Sequence, residues 1–328
     1  MILILTQAFD PHADHIAQML AARGAEFVRF NPADFPVKAS LSVGYASNGK
    51  LRSCLRLEDK VIDLARLQSI WSRRPQSPVA HEQIQDPAVR EFITRDCQTF
   101  VQDLWDTLPC RWVPGHPAAI KRAQFKVSQL RVAAELGMEL PPTLVTSSRQ
   151  DFLDFYDEHN GNVISKLAGH AFDQTIGESA GLCRYTEVVS KRDVAYAAAL
   201  QYDPVILQAY VPKRVELRIT VVGQNVFAAE IHSQQTRHTK YDWRRYDLSR
   251  TPHLPHILPA EIQERCVRLV ERLELCYGAI DMILTPDGRY VFLEINPSGQ
   301  YLWIEDNTGL PISSAICDLL MGGQGAAL

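Results

Sequence analysis

The sequence predicts an α/β (α+β) protein, with a small N-terminal open α/β domain over residues 1–117 and two α+β units over 118–204 and 205–328. Three observations carry that reading. An apolar strand, a capped helix and a second strand open the chain, which is how α/β units begin. The segment Leu108-Pro-Cys-Arg-Trp-Val-Pro-Gly-His-Pro117 sets three prolines and a glycine within ten residues, which breaks a helix or central strand and marks a linker. Beyond residue 204, two pairs of strand-like runs are each joined by a short polar turn, the pattern of antiparallel hairpins.

The elements follow in order. Ile2–Leu5 is an apolar strand, and Asp10-Pro11 supplies an N-cap and a first-turn proline for a helix carrying Ile16, Met19 and Leu20, stopped at Gly24. Glu26–Phe30 and Leu67–Ser72 read as further strands. From Ala119 to Leu136 the pattern is one helix with Ala123, Val127, Leu130 and Ala134 on its apolar stripe and Lys126 near its middle. Pro141-Pro142 then forces extended chain. Asn162–Leu167 is a strand bearing Lys166, and a helix is expected from about Lys191 to Leu200. Val205–Val211 is apolar and ends at Pro212. Glu216–Val222 alternates, with Leu217, Ile219 and Val221 on a core face and Glu216, Arg218 and Thr220 on a chemical one, and it turns at Gly223-Gln224-Asn225 into Val226–His232. Ile262, Cys266, Leu269, Leu273 and Cys276 step by four and three along a helix that backs this sheet.

Composition bounds the function. Across 328 residues, 34 Lys+Arg against 38 Asp+Glu leave a net charge of −4 with no basic block, which gives no electrostatic footing for nucleic acid or an anionic membrane. The opening MILILTQAFDPHAD lacks the basic and apolar regions of a signal peptide, so the expected location is the cytoplasm. Seven scattered cysteines, an odd number without a C-x-x-C pair, read as small buried hydrophobes rather than a disulfide framework. His253-Leu-Pro-His256, between prolines, reads as loop rather than metal site.

Chemistry concentrates in Tyr277–Pro297, where two apolar strands flank Thr285-Pro286-Asp287-Gly288, a type I turn. A Pro286-Asp287 loop places Asp281 opposite Phe292 and makes Asp281 and Glu294 a diagonal pair about 7–8 Å apart at Cα, with Asn296 on the same face. Two carboxylates and an amide suit a hard cation such as Mg²⁺ that keeps positions open for phosphate. The alternative is a pair of ordinary polar positions on a half-exposed hairpin. Lys126, Lys166 and Arg218 are the cations placed to meet phosphate oxygens, although each also has a plain reading, and Arg218 could pair with Glu216 or a cross-strand acid.

This order of features resembles the ATP-grasp ligases over residues 118–320: Lys126 on a helix, Lys166 on a strand, the hinge Ile206-Leu-Gln-Ala-Tyr-Val-Pro212, Glu216-Leu-Arg218, Asp281, then Glu294-Ile-Asn296-Pro297. Trp71-Ser-Arg73-Arg74-Pro75, His232-Ser-Gln-Gln235 and Tyr241-Asp242-Trp243-Arg244 are similar, more narrowly, to the graspetide synthetases, the microviridin-type maturases of ribosomal peptides. The resemblance implies an ATP-grasp fold in which the second and third domains sandwich ATP. It implies Lys126 and Lys166 on the ATP phosphates, the backbone of Gln208, Ala209, Tyr210 and Val211 on adenine, and Mg²⁺, as two ions, on Asp281, Glu294 and Asn296. Arg218 is then the catalytic cation. Arg73, Arg74, Asp193, Glu216, His232 and Arg244 are candidate substrate contacts. Family hinges commonly read Gln-Glu where this chain has Gln208-Ala209. The loop from Ala168 to Gly181, a weaker candidate for a phosphate lid, holds no Walker A sequence.

The implied reaction is ATP-dependent macrocyclisation of a ribosomal precursor peptide, with Asp/Glu carboxylates activated as acyl phosphates and joined to Ser/Thr hydroxyls or Lys amines. A leader segment docking near Asp193, with an ordinary exposed helix face as the alternative there, and paired subunits are implied with it. The other readings are a ligase that adds residues to a peptide or small acid, and an ATP-binding regulator without catalysis. No G-x-S-x-G elbow or other nucleophile motif is present, in keeping with phosphoryl transfer by positioning and charge neutralisation.

Overall fold

The computed structural model describes residues 1–167, 186–232 and 251–323. The N-terminal part runs β1 (Ile2–Thr6), α1 (Pro11–Ala22), β2 (Phe27–Phe30), β3 (Ser40–Tyr45), β4 (Leu51–Leu57), β5 (Lys60–Asp63), β6 (Ser69–Arg74), α2 (Pro87–Asp106) and β7 (Arg111–Val113). Strands β2-β1-β6-β7 form a parallel sheet, and β3-β4-β5 an antiparallel one beside it. Asp10 caps α1 by accepting from the His12 amide, as its sequence signature predicts. The proline-rich stretch is not purely linker: Arg111–Val113 joins the sheet at its edge, where neighbouring prolines are tolerated.

Next come α3 (Pro117–Ala123), α4 (Lys126–Glu135), β8 (Thr143–Thr146), α5 (Arg149–Glu158), β9 (Val163–Leu167), β10 (Glu187–Val188), α6 (Lys191–Ala195) and β11 (Val205–Ala209). The one helix expected over 119–136 is two, because Phe125 is extended (ψ 112°) and interrupts it. The break places Lys126 at the first position of α4 instead of mid-helix, and it re-phases the buried face. Val127 is 60% exposed, and the buried side chains of α4 are Gln129, Val132 and Ala133.

Gln129 bonds across the break. Its Nε2 donates to the Ala123 carbonyl (2.6 Å) and the Ile295 carbonyl (2.8 Å), while its Oε1 accepts from the Ile295 amide (3.2 Å). One buried amide therefore caps α3 and fastens α4 to a strand of the C-terminal sheet. Gln129→Leu keeps the volume but strands these groups, so we expect a loss of about 3 kcal/mol of stability, read by denaturant melting. A loss below about 1 kcal/mol would make the clamp idle.

The expected helix over 191–200 ends at Ala195 and continues as a 3-10 turn over Ala197–Gln201. Sheet membership also departs from the expected 204/205 division. Strand β11 pairs antiparallel with β8 and β9 in the middle sheet, of order β10-β9-β11-β8, whereas α3 and α4 share a core with the C-terminal sheet.

The C-terminal part comprises β12 (Val215–Val222), β13 (Asn225–Ile231), β14 (His253–His256), α7 (Ala260–Arg272), β15 (Tyr277–Leu284), β16 (Tyr290–Asn296), α8 (Leu302–Thr308) and α9 (Ile312–Leu320). The antiparallel sheet has the order β14-β13-β12-β15-β16. Leu217, Ile219 and Val221 pack with Cys266, Leu269 and Leu273 of the α7 stripe, as their alternation and spacing predict. His253–His256, read as loop, is an edge strand on β13 that tolerates Pro255; His256 Nδ1 lies 2.7 Å from Glu230 Oε1. Helix α9 packs in one core with Ile2, Ile4 and Ile16 of the N-terminal domain and with Val222 and Ala229 of the C-terminal sheet.

Candidate active site

The β15–β16 turn fixes the register of the site. Thr285 and Arg289 pair across it (Thr285 amide to Arg289 carbonyl, 3.0 Å), and Gly288 takes φ +87°, so the loop is one residue longer than Pro286-Asp287. A second register shift falls between Asp281 and Met282. Together they bring Asp281 directly opposite Glu294 instead of diagonal to it, with Phe292 opposite Met282. Because Arg218 is also paired with Asp281 across β12–β15, the three side chains Arg218, Asp281 and Glu294 form one row across three strands.

Charges along this row are matched. Arg218, 4% exposed, donates through Nη1 to both Asp281 oxygens (3.0 and 3.1 Å) and through Nη2 to the Gln300 carbonyl (3.1 Å). Of the two acids the sequence offered it, it takes the cross-strand one. Lys126 Nζ lies 2.6 Å from Glu294 Oε2, and Asn296 Nδ2 lies 3.4 Å from Asp281 Oδ2. The position of Lys126 at the start of α4, held by Gln129, is what lets a helical lysine reach a strand carboxylate.

The row borders a cleft of about 640 Å³, open to solvent, between the middle and C-terminal sheets. Ile164, Lys166 and Val211 line it from one side, and Glu216, Asp281 and Glu294 from the other. Within the hinge, the Ala209 amide donates to the Pro142 carbonyl (2.9 Å) and the Tyr210 amide to the Asn162 carbonyl (2.8 Å). Among the described residues the Val211 amide donates to no backbone acceptor. The Gln208 side chain is turned inward, donating to Thr143 Oγ1 at 3.1 Å.

Two carboxylates and an amide oxygen are the donor set of a hard, oxygen-seeking cation that shares its remaining positions with phosphate. Among the described residues no group of three or more His, Cys, Asp or Glu forms a cage for a metal, so the ligands on offer are these two carboxylates and one amide, the small oxygen set that Mg²⁺ takes beside phosphate and water. Burial pushes the thiols of Cys266 and Cys276 up to about 12, leaving them protonated and inert at neutral pH.

The remaining candidates are spread. Arg73 is buried and donates through Nη1 to the Ser298 carbonyl (2.7 Å), whereas Arg74 is exposed. Asp193 is exposed and forms a capping box with Ser190. Glu216 is buried in an ion pair with Lys213, and His232 Nε2 lies 3.0 Å from Glu230 Oε2. Arg244, with Tyr241–Trp243, Ser233–Gln235 and the loop from Ala168 to Gly181, lies outside the described residues. Sequence reasoning passed over Gln129 and Lys213. A glutamine on a helix carries no local signal, but a lysine directly after the hinge proline could have been counted among the cleft cations.

Residues 1–119 match the family model of the MvdD pre-ATP-grasp domain. Among solved structures, the chain is similar to a RiPP-associated ATP-grasp ligase of Chryseobacterium gregarium in complex with ADP and a leader and core peptide. Identity is 29% over 98% of this chain and 96% of that one, with a TM-score of 0.88. It is similar to the macrocyclase MdnB of Microcystis aeruginosa at 33% identity, covering 98% and 99% of the two chains with a TM-score of 0.81. Macrocyclase MdnC of the same organism, bound with precursor peptide MdnA, gives 27%, 98%, 99% and 0.84. A search of curated protein sequences finds no match.

Proposed function

The chain belongs to the RiPP-associated ATP-grasp ligases, and from that premise we propose that it is an ATP-dependent peptide macrocyclase. It activates Asp or Glu side-chain carboxylates of a ribosomal precursor peptide and joins them to Ser/Thr hydroxyls as esters or to Lys amines as amides of the same peptide. The observation that supports this most is the charge-matched row of Arg218, Asp281 and Glu294, with Lys126, at the edge of a two-sheet cleft.

In this reading a substrate carboxylate oxygen attacks the γ-phosphorus of ATP and releases ADP. A hydroxyl or amine of the peptide then attacks the acyl carbon, losing its proton, and phosphate departs. Asp281, Glu294 and Asn296 would hold Mg²⁺, as two ions, which would supply charge neutralisation to the ATP phosphates. Lys126 and Lys166 bind phosphate oxygens, and the Gln208–Val211 backbone receives adenine, with the Val211 amide as its donor. Arg218 presents a fixed guanidinium to the transferring phosphoryl group and the activated carboxylate. Lys126 and Glu294 are partners of each other here, and with nucleotide and metal bound Lys126 would serve phosphate and Glu294 the metal.

The leader segment docks on the middle domain near α6, where Asp193 already serves its helix cap, and Arg74, Glu216 and His232 are proposed contacts of the core peptide. Residues 1–117 form the pre-ATP-grasp domain of a cytoplasmic enzyme that pairs as a homodimer, which light scattering tests. Incubating short peptides encoded beside the gene with the protein, ATP and Mg²⁺ tests the reaction itself by intact mass. One water is lost for each ring formed; a mass gain would replace cyclisation by residue addition.

A further inference from the structure

The motif Trp71-Ser72-Arg73-Arg74 ends β6 at the seam between the N-terminal domain and the C-terminal sheet, and its buried arginine is not explained by domain docking alone. Docking has its own hydrogen bonds: Gln68, Ser69 and Arg111 donate to the carbonyls of Met321, Leu320 and Leu319 at the end of α9. Arg73 lies elsewhere. It is 4% exposed and 3.7 Å from Asp10, and its Nε and Nη2 have no hydrogen-bond partner among the described residues. Keeping a half-satisfied guanidinium where an apolar side chain would dock as well is costly to stability and points to a positional task.

The loop after β16 shows the task. Three consecutive carbonyls, of Ser298, Gly299 and Gln300, accept from Arg73 Nη1 (2.7 Å), the Tyr277 hydroxyl (2.7 Å) and Arg218 Nη2 (3.1 Å). The donors come from three different strands. Gly299 lies so close to Arg218 that a Cβ there would stand 2.7 Å from Nη2 and 2.4 Å from the Ala279 Cβ, so the loop backbone rides directly on the guanidinium. Burial and the neighbouring arginines act in opposite directions on Tyr277, and burial prevails, raising its hydroxyl to about 12 and keeping it a donor.

We infer that Arg73 and Tyr277 are positioning residues: through the Ser298–Gln300 loop they fix the orientation of Arg218, which makes the N-terminal domain a working part of the catalytic centre. This rests on the role given to Arg218 in the proposed function. The test uses Arg73→Lys and Tyr277→Phe in the full chain, each read by amide hydrogen exchange of the segment 297–303 and by steady-state kinetics. Exchange in that segment rises several-fold in both variants, with α7 unchanged. The kcat for ADP formation falls about tenfold or more while KM for ATP stays within twofold, because a displaced catalytic group loses rate without loosening the hinge. The double variant is no worse than the poorer single one, since both hold one loop.

Unchanged exchange in Tyr277→Phe overturns the inference, and so does raised exchange with unchanged kcat. A fall in melting temperature with kcat intact in the folded fraction assigns Arg73 to docking and overturns it as well. Should the wild-type chain turn over no peptide, the proposed function fails, and the exchange data still decide whether Arg73 and Tyr277 hold the loop.

Discussion

Arg218→Lys lowers kcat for ADP formation about a thousandfold and leaves the fold and ATP affinity close to wild type. The expectation follows from geometry. Arg218 spends both faces of its fork at once, Nη1 across the two oxygens of Asp281 and Nη2 on the Gln300 carbonyl. A lysine keeps the positive charge that Asp281 needs, so the buried carboxylate is not abandoned and the strand row survives. It cannot reproduce the planar fork, and a point charge satisfied by Asp281 has nothing left to aim at a transferring phosphoryl group. Removing one fixed transition-state cation costs about three orders of magnitude or more in comparable chemistry, which is the scale expected here. Single-turnover ADP formation, with melting temperature measured beside it, checks the prediction. A kcat within tenfold of wild type would remove Arg218 from the chemistry and leave it a strut between β12 and β15.

Much of this site was legible in the chain, and where it was not the reasons are physical. Alternation along Glu216–Val222 separates a core face from a polar one, and in the structure the two faces do divide that way between the α7 core and Arg218. The carboxylate pair was legible as residues but not as geometry. A glycine in the left-handed region at Gly288 lengthens the turn by one residue, and the shift beside Asp281 moves the pairing again, neither of which residue spacing can count. The break at Phe125 was hidden for a different reason: Gln129, which bonds across it to Ala123, is also held by Ile295, 166 residues away in sequence. His253–His256 misled through Pro255, which an edge strand tolerates and a central strand does not.

Glu294→Gln abolishes turnover, with kcat for ADP formation and ring closure down by about a thousandfold, while the protein folds and still binds nucleotide. Glu294 is paired with Lys126, itself a candidate phosphate ligand. Gln preserves the volume and an oxygen that can accept from Lys126, so the helix-to-strand contact persists and the stability change stays within about 1 kcal/mol. What is lost is a full negative charge beside Asp281, and a hard divalent cation depends on that charge more than on any packing contact. Two consequences separate this from a structural defect. Turnover in the variant recovers partly as Mg²⁺ is raised, because a weakened site refills by mass action, whereas a misfolded site would not respond. Lys126, facing a neutral amide instead of a carboxylate, turns to phosphate at lower cost, so nucleotide affinity measured without Mg²⁺ holds or rises. Full activity in Glu294→Gln, or inactivity with a nucleotide affinity lost in step, would move the metal to other ligands and leave Lys126–Glu294 as an ion pair that only joins α4 to β16.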